Sequence, residues 1–173
     1  HWLDFVARCL KEQEKRFVLH YQQIVPLHAN KNDEMYEVLV RLKDDDDNIV
    51  SPFKFIQTAE EFGLIGKIDA AVATQVIKVL SQWHAQGRKA SLSVNISCRT
   101  FDDEEALETI KSAVIEAGLP AGALVLEMTE TALLRDISHV RNIINEFKAL
   151  GVVWALDDCG VGYSSLNYIR ELD

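Results

Sequence analysis

Val152-Val153-Trp154-Ala155-Leu156 runs straight into Asp157-Asp158-Cys159-Gly160-Val161-Gly162-Tyr163-Ser164-Ser165-Leu166. The first five residues form an unbroken apolar run, the pattern of a parallel strand covered on both faces. Two adjacent carboxylates therefore follow at the C-terminal end of that strand. Gly160 and Gly162 let the backbone turn sharply or approach a ligand closely. Ser164 or Ser165 can cap a following helix. α/β proteins place their sites at the C-terminal ends of parallel strands. A solvated Asp-Asp-x-Gly turn with a helix cap is the plainer alternative, and the other strands decide between the two.

Successive side chains of a strand point to opposite faces, so each strand can be read by parity. In Met35 to Leu42, one face carries Tyr36, Val38, Val40 and Leu42, and the other carries Glu37, Leu39 and Arg41. In Ser91 to Ile96, Leu92, Val94 and Ile96 oppose Ser91, Ser93 and Asn95. In Leu124 to Thr129, Leu124, Leu126 and Met128 oppose the face of Glu127. In Val152 to Asp157, Val152, Trp154 and Leu156 oppose Val153, Ala155 and Asp157. Glu37, Asn95, Glu127 and Asp157 thus all lie on the less bulky face of their strands. If those faces converge, three carboxylates and an amide oxygen share one location. Buried carboxylates need a partner, and a hard divalent cation such as Mg²⁺ or Mn²⁺ suits that donor set.

Helices and strands alternate along the chain. An opening helix is expected over His1–Arg16, a strand over Phe17–Leu27, and a polar turn over His28–Asp33 leading into the Glu37 strand. Asp44-Asp45-Asp46-Asp47-Asn48 reads as a solvated loop and lacks the spacing of a calcium loop. Pro52 starts a helix to about Phe62, with Ser51 as its expected N-cap. A longer helix is expected over Lys67–Ala85, with an apolar stripe of Ile68, Val72, Val76, Val79, Leu80 and Trp83 and Gly87 as its stop. Helices over Asp103–Ala117 and Ser138–Leu150 end at Gly118 and Gly151. This order with short loops implies a parallel sheet or barrel.

Composition narrows the function classes. At 173 residues the chain can bury one real core. Its net charge of −9 argues against a nucleic-acid groove, which needs a basic patch. A small phosphate ligand remains compatible, because a metal can neutralise it locally. Cys9, Cys98 and Cys159 are odd in number and lack metal spacing, so they read as free thiols in a reducing, cytoplasmic compartment. Neither a membrane-spanning run nor a signal peptide is visible, although a parent protein could be anchored through other parts.

At these residues the chain resembles the EAL domain, the cyclic-di-GMP phosphodiesterase family. The naming tripeptide stands as Glu37-Val38-Leu39 within Tyr36-Glu37-Val38-Leu39-Val40-Arg41. Further matches are Tyr21-Gln22-Gln23-Ile24-Val25, Ser51-Pro52-Phe53-Lys54-Phe55-Ile56, Ala59-Glu60-Glu61-Phe62-Gly63-Leu64-Ile65 and Leu92-Ser93-Val94-Asn95-Ile96-Ser97. Glu127-Met128-Thr129-Glu130 resembles the family's Glu-x-Thr-Glu element, and Asp157 to Leu166 its Asp-Asp-Phe-Gly-Thr-Gly-Tyr-Ser-Ser-Leu loop. The match runs in order from about Phe17 to Asp173. Gln23 and Gln57 stand where the family has Pro, Cys159 where Phe is common, and Val161 where Thr is common; none of these removes an oxygen ligand.

The resemblance implies a TIM-type (β/α) barrel whose first strand runs against the others, with about six of its eight strands present. Residues 1–173 would form a single EAL domain lacking roughly its last third, including a Lys-Ile-Asp strand, a late Glu and a Gln. The chain is therefore expected to be a fragment of a longer protein and inactive alone, and an intact parent to be an active hydrolase. The implied reaction opens cyclic-di-GMP to linear pGpG with two Mg²⁺ or Mn²⁺ ions. Two metals about 3.5–4 Å apart can activate water and stabilise both oxygens of a phosphodiester displacement. Glu37, Asn95, Glu127 and Asp157 match the ligands of one metal, and Asp157 and Asp158 match the pair bridging to a second. Glu130 matches the residue that holds the Asp157–Leu166 loop; a surface carboxylate at a helix start is its plainer role. Arg41 matches a phosphate-contacting residue, with an ion pair as the alternative. Gln22 matches a ligand contact. Leu39 would pack on a guanine base or simply fill the core. A non-catalytic EAL domain that binds cyclic-di-GMP or a partner protein is the competing expectation. No DNA or RNA polymer is expected as a partner. An open sheet leaves unpaired edges and an exposed apolar face, so stabilisation by a homodimer, a swapped element or further chain is expected, and a GGDEF or sensory domain could lie upstream.

Overall fold

The structure is a computed structural model that describes residues 2–25, 34–129 and 136–157. One sheet organises it, built from β1 (Phe17–Ile24), β2 (Glu34–Lys43), β3 (Ile49–Val50), β4 (Ala90–Asn95), β5 (Leu124–Thr129) and β6 (Val153–Asp157). The order is β1-β2-β4-β5-β6, with the two-residue β3 pairing on β2 outside that row. β1 pairs antiparallel with β2 along its whole length, from Phe17 opposite Leu42 to Ile24 opposite Met35. β2, β4, β5 and β6 run parallel. The architecture is the expected one: an α/β sheet of the TIM-barrel type, with a reversed first strand and no closure among the described residues.

The helices are α1 (Trp2–Lys11), α2 (Gln13–Arg16), α3 (Pro52–Glu61), α4 (Ile65–Ala85), α5 (Glu104–Ala117) and α6 (Ile137–Ala149), with a 3₁₀ turn at Cys98–Asp102. The core lies between them and the bulky face of the sheet. Leu92, Leu124 and Leu126 from the strands are buried together with Ile68, Leu80 and Phe147 from the helices. That is the face parity assigned to packing, and it leaves Glu37, Asn95, Glu127 and Asp157 on the opposite side.

Local signals explain most boundaries, and a few differ from expectation. α3 ends in a left-handed Gly63 (φ 68°), with the Leu64 amide bonding back to the Ala59 carbonyl at 2.7 Å. This reversal lets α4 begin at Ile65, two residues earlier than its apolar stripe suggested. Gly118, at φ 56°, closes α5 in the same way, and Asp103 caps its start by accepting from the Ala106 amide. Ser51 stands before α3, but its side chain makes no capping bond; Pro52, with φ already set for a helix, starts the turn without it. The expected opening helix breaks at Glu12 into α1 and α2. Beyond the break, buried Arg16 turns inward and bonds Glu12 (2.9 Å), Asp45 (2.5 Å) and the Lys43 carbonyl (3.3 Å). The acidic loop is thereby occupied: Asp44 accepts from the amides of Asp46 and Asn48, and Asp45 also pairs with Arg8 at 3.1 Å.

At the opposite end of the sheet, where the parallel strands begin, the Arg88 guanidinium lies 3.8 Å from the Trp83 ring centroid and pairs with Glu34. Such clusters at the N-terminal ends of barrel strands serve stability. None of the described helices is long and apolar enough to cross a membrane.

Candidate functional site

Strand register builds the site. Gln22 stands opposite Glu37, and Glu37 opposite Ser93. Asn95 stands opposite Glu127, Glu127 opposite Ala155, and Thr129 opposite Asp157. Moving across the sheet from β2, the functional position climbs one side-chain step from Glu37 to Asn95. It stays level at Glu127 and climbs one more step to Asp157. Barrel strands are tilted and staggered, so side chains at one level come from successively shifted registers. A one-residue slip on any strand would send its oxygen to the helix-covered face.

The contacts agree with that register. The Asn95 Nδ2 donates to Glu37 Oε1 at 2.9 Å, across strands and 58 residues apart in sequence. Glu127 is half-buried, and its pKa is raised above the ordinary glutamate value. Burial is the main cause; the nearby Ser93 hydroxyl opposes it, and the negative charges of Glu37 and Asp157 add to it. Ser93 Oγ is buried and forms no hydrogen bond within the distance and angle limits of one among the described residues. Asp157 and Asn95 are exposed at the C-terminal ends of their strands.

These observations bear on whether a divalent cation suits the site. The donors are all oxygen, the set preferred by Mg²⁺ and Mn²⁺. Like charges that already disfavour ionisation of Glu127 are what a cation would relieve. Glu127 feels the charges of Glu37 and Asp157, yet among the described residues no three His, Cys, Asp or Glu side chains are gathered into a ready metal cage. Glu130 and Asp158 lie outside the described residues, as do Cys159, Gly160, Gly162, Ser164 and Ser165.

Arg41 and Leu39 share the Glu37 face, and both are half-buried. Arg41 Nη1 donates to its neighbour's Val40 carbonyl at 2.8 Å, and among the described residues Arg41 forms no salt bridge. Leu39, Arg41 and Asn95, with Val38, Ile56 and Asp69, line a cavity of about 120 Å³ where β2 parts from β4. Gln22 is exposed beside Glu37. Cys9 is buried and its pKa is pushed up to about 11, mainly by that burial.

Sequence reasoning singled out neither Ser93 nor a polar network behind Asn95. Asp69 of α4 is buried, and its Oδ2 accepts from the Ser97 amide at 2.8 Å and the Thr100 hydroxyl at 2.5 Å. Burial pushes its carboxyl up to about 7 against these two donors, with the charges of Glu60 and Asp103 adding to the rise. The Ser97 hydroxyl donates to Glu60 Oε1 at 2.8 Å. The one available signal was a lone carboxylate between Ile68 and Ala70 in an apolar helix stripe.

The sequence profile of the EAL domain matches residues 7–173, and the chain belongs to that family. It is 34% identical over 161 residues to the signaling protein YkoW of Bacillus subtilis strain 168, covering 92% of this chain and 20% of that protein. It is 30% identical over 170 residues to the cyclic di-GMP phosphodiesterase PdeR of Escherichia coli K12, covering 98% of this chain and 25% of that protein. The backbone matches the FimX EAL domain from Pseudomonas aeruginosa bound to c-di-GMP with a TM-score of 0.87 at 25% identity, covering 98% of this chain and 66% of that one. For the PaMucR phosphodiesterase in complex with c-di-GMP, the TM-score is 0.80 at 27% identity, with coverages of 96% and 68%. The chain thus spans 20% and 25% of those two curated relatives and 66% and 68% of those two structures.

Proposed function

We propose that this chain is the larger part of a phosphodiesterase domain that hydrolyses cyclic-di-GMP to linear pGpG with Mg²⁺ or Mn²⁺. One observation carries the proposal beyond family membership. Asn95 is bonded to Glu37, and Glu127 feels the charges of both Glu37 and Asp157, so four oxygen-bearing side chains from four strands act on one another at one face. Glu37, Asn95, Glu127 and Asp157 would hold the cation, and Asp158 would complete the set for a second. A divalent cation bound there supplies positive charge for a phosphodiester oxygen and a more acidic water than bulk solvent.

The chain's own residues supply recognition. Arg41, without a carboxylate partner among the described residues, offers a planar fork to a phosphate oxygen pair. Gln22, beside Glu37, offers amide hydrogen bonds to the ligand, and Leu39 offers an apolar surface to a base. The Asn95 amide, fixed by its bond to Glu37, presents its oxygen without having to reorient at the moment of reaction. A cytoplasmic location and a homodimer belong to the same proposal.

Incubation of the intact protein with cyclic-di-GMP and Mn²⁺ or Mg²⁺, with products separated by chromatography, is the test. Metal-dependent release of pGpG is expected from the wild type, and none from Glu37→Ala. Tight binding without turnover would overturn the catalytic assignment and leave a receptor domain.

A further inference from the structure

We propose that Asp69 is a positioning residue for Asn95: a buried carboxylate of α4 that fixes the chain leaving β4, and through it the amide that would face the cation. This rests on the metal-binding role of Asn95 proposed above.

Asp69 is only 7% exposed on a helix whose neighbouring inward residues, Ile68, Val72, Ala73 and Val76, are apolar. Helix packing alone would be met by another apolar side chain, and a carboxylate there is costly unless its bonds are needed. Its bonds go to one place. Asn95 is the last residue of β4, and three residues just beyond it, Ile96, Ser97 and Thr100, are all anchored. The Ile96 amide donates to the Glu127 carbonyl at 2.8 Å. The Ser97 amide donates to Asp69 at 2.8 Å, and the Ser97 hydroxyl donates to Glu60 at 2.8 Å. Thr100, wholly buried, donates its hydroxyl to Asp69 at 2.5 Å and its amide to the Ser97 carbonyl at 3.0 Å.

The exit of β4 is therefore gripped from both sides, by β5 at Ile96 and by α3 and α4 at Ser97. Each backbone residue contributes two soft dihedrals, so a free exit would let the exposed Asn95 twist away from Glu37 and Glu127. Among the described residues Asp69 bonds Ser97 and Thr100 rather than Asn95 itself, so it acts through the backbone between Ser97 and Asn95. Partners one layer behind a ligand typically change metal affinity by about 10–100-fold when removed.

Mn²⁺ binding by the intact protein, read from the electron paramagnetic resonance signal of free Mn²⁺, tests this against a purely structural role. Asp69→Ala is expected to weaken Mn²⁺ binding about 10–100-fold. Asp69→Asn, which keeps an oxygen for the Ser97 amide, is expected to retain most of the affinity. Leu80→Ala, a fully buried site on the same helix, is expected to lower the melting temperature while leaving Mn²⁺ affinity unchanged. If Asp69→Ala fails to fold, Thr100→Val removes one arm of the clamp and is expected to weaken binding severalfold. Wild-type affinity in Asp69→Ala or Thr100→Val, or equal weakening in Leu80→Ala, would overturn the inference. A wild type that binds Mn²⁺ but releases no pGpG would sink the phosphodiesterase proposal and leave the positioning role standing; a wild type that binds no Mn²⁺ would overturn both.

Discussion

Replacing Asp69 by Asn changes how stability depends on pH, and the size follows from the burial of one carboxyl. In the folded chain that carboxyl titrates at about 7 against an ordinary value of 3.8, because burial disfavours its charged form more than Ser97 and Thr100 favour it. The folded state therefore holds this proton more tightly than the unfolded state. Below about pH 4 both states are protonated and the site has no electrostatic cost. As pH rises from there to about 7, unfolding releases a proton and the wild type loses stability; above that range the loss is complete. Each pH unit within the window is worth about 1.4 kcal/mol. Between pH 5 and pH 7 the wild type should thus lose roughly 2–3 kcal/mol relative to Asp69→Asn, as an order of magnitude. Urea unfolding of both proteins at pH 5, 6, 7 and 8 measures this. The difference between the two proteins matters more than either curve, since the other titrating groups contribute to both. A difference that stays flat from pH 5 to 8 would refute the reasoning, and one that grows in favour of Asp at high pH would reverse its sign.

Arg41 and Phe147 each give a shorter prediction from contacts elsewhere in the fold. Arg41→Ala should raise KM for cyclic-di-GMP by tenfold or more, about the loss of one charge-assisted bond, while Mn²⁺ affinity stays at the wild-type level. A parallel loss of Mn²⁺ binding would show that Arg41 shapes the acidic site rather than meeting phosphate. Phe147→Ala should cost about 3–5 kcal/mol of unfolding free energy, because the ring is fully buried and packs edge-on against Trp154 with centroids 5.8 Å apart. A loss under about 1 kcal/mol in urea would mean that the core closes over the gap.

The site residues could be placed on one face from sequence because strands have a period of two. Leu92 and Val94, or Leu124 and Leu126, had to face the helices, and that forced Asn95 and Glu127 to face away. The cross-strand partners followed only once the register was known. The Asn95–Glu37 bond links positions 58 residues apart, and no local pattern encodes it. Asp69 was hidden for a related reason. A carboxylate inside an apolar stripe looks like a residue at the edge of a helix face, and its partners, Ser97 and Thr100, lie in another element. The break at Glu12 was invisible because Arg16 is drawn inward by Asp45, a residue of a loop that reads as purely solvated. The short β3 was likewise lost, since two residues are too few to show a period.

The central claim is that Glu37, Asn95, Glu127 and Asp157 together grip a divalent cation. Anomalous diffraction recorded at the manganese edge, from crystals of the intact protein grown with Mn²⁺, tests it most directly. A peak in coordinating contact with all four side chains is the predicted result. A peak elsewhere, or none while those four remain turned toward bulk water, would contradict it.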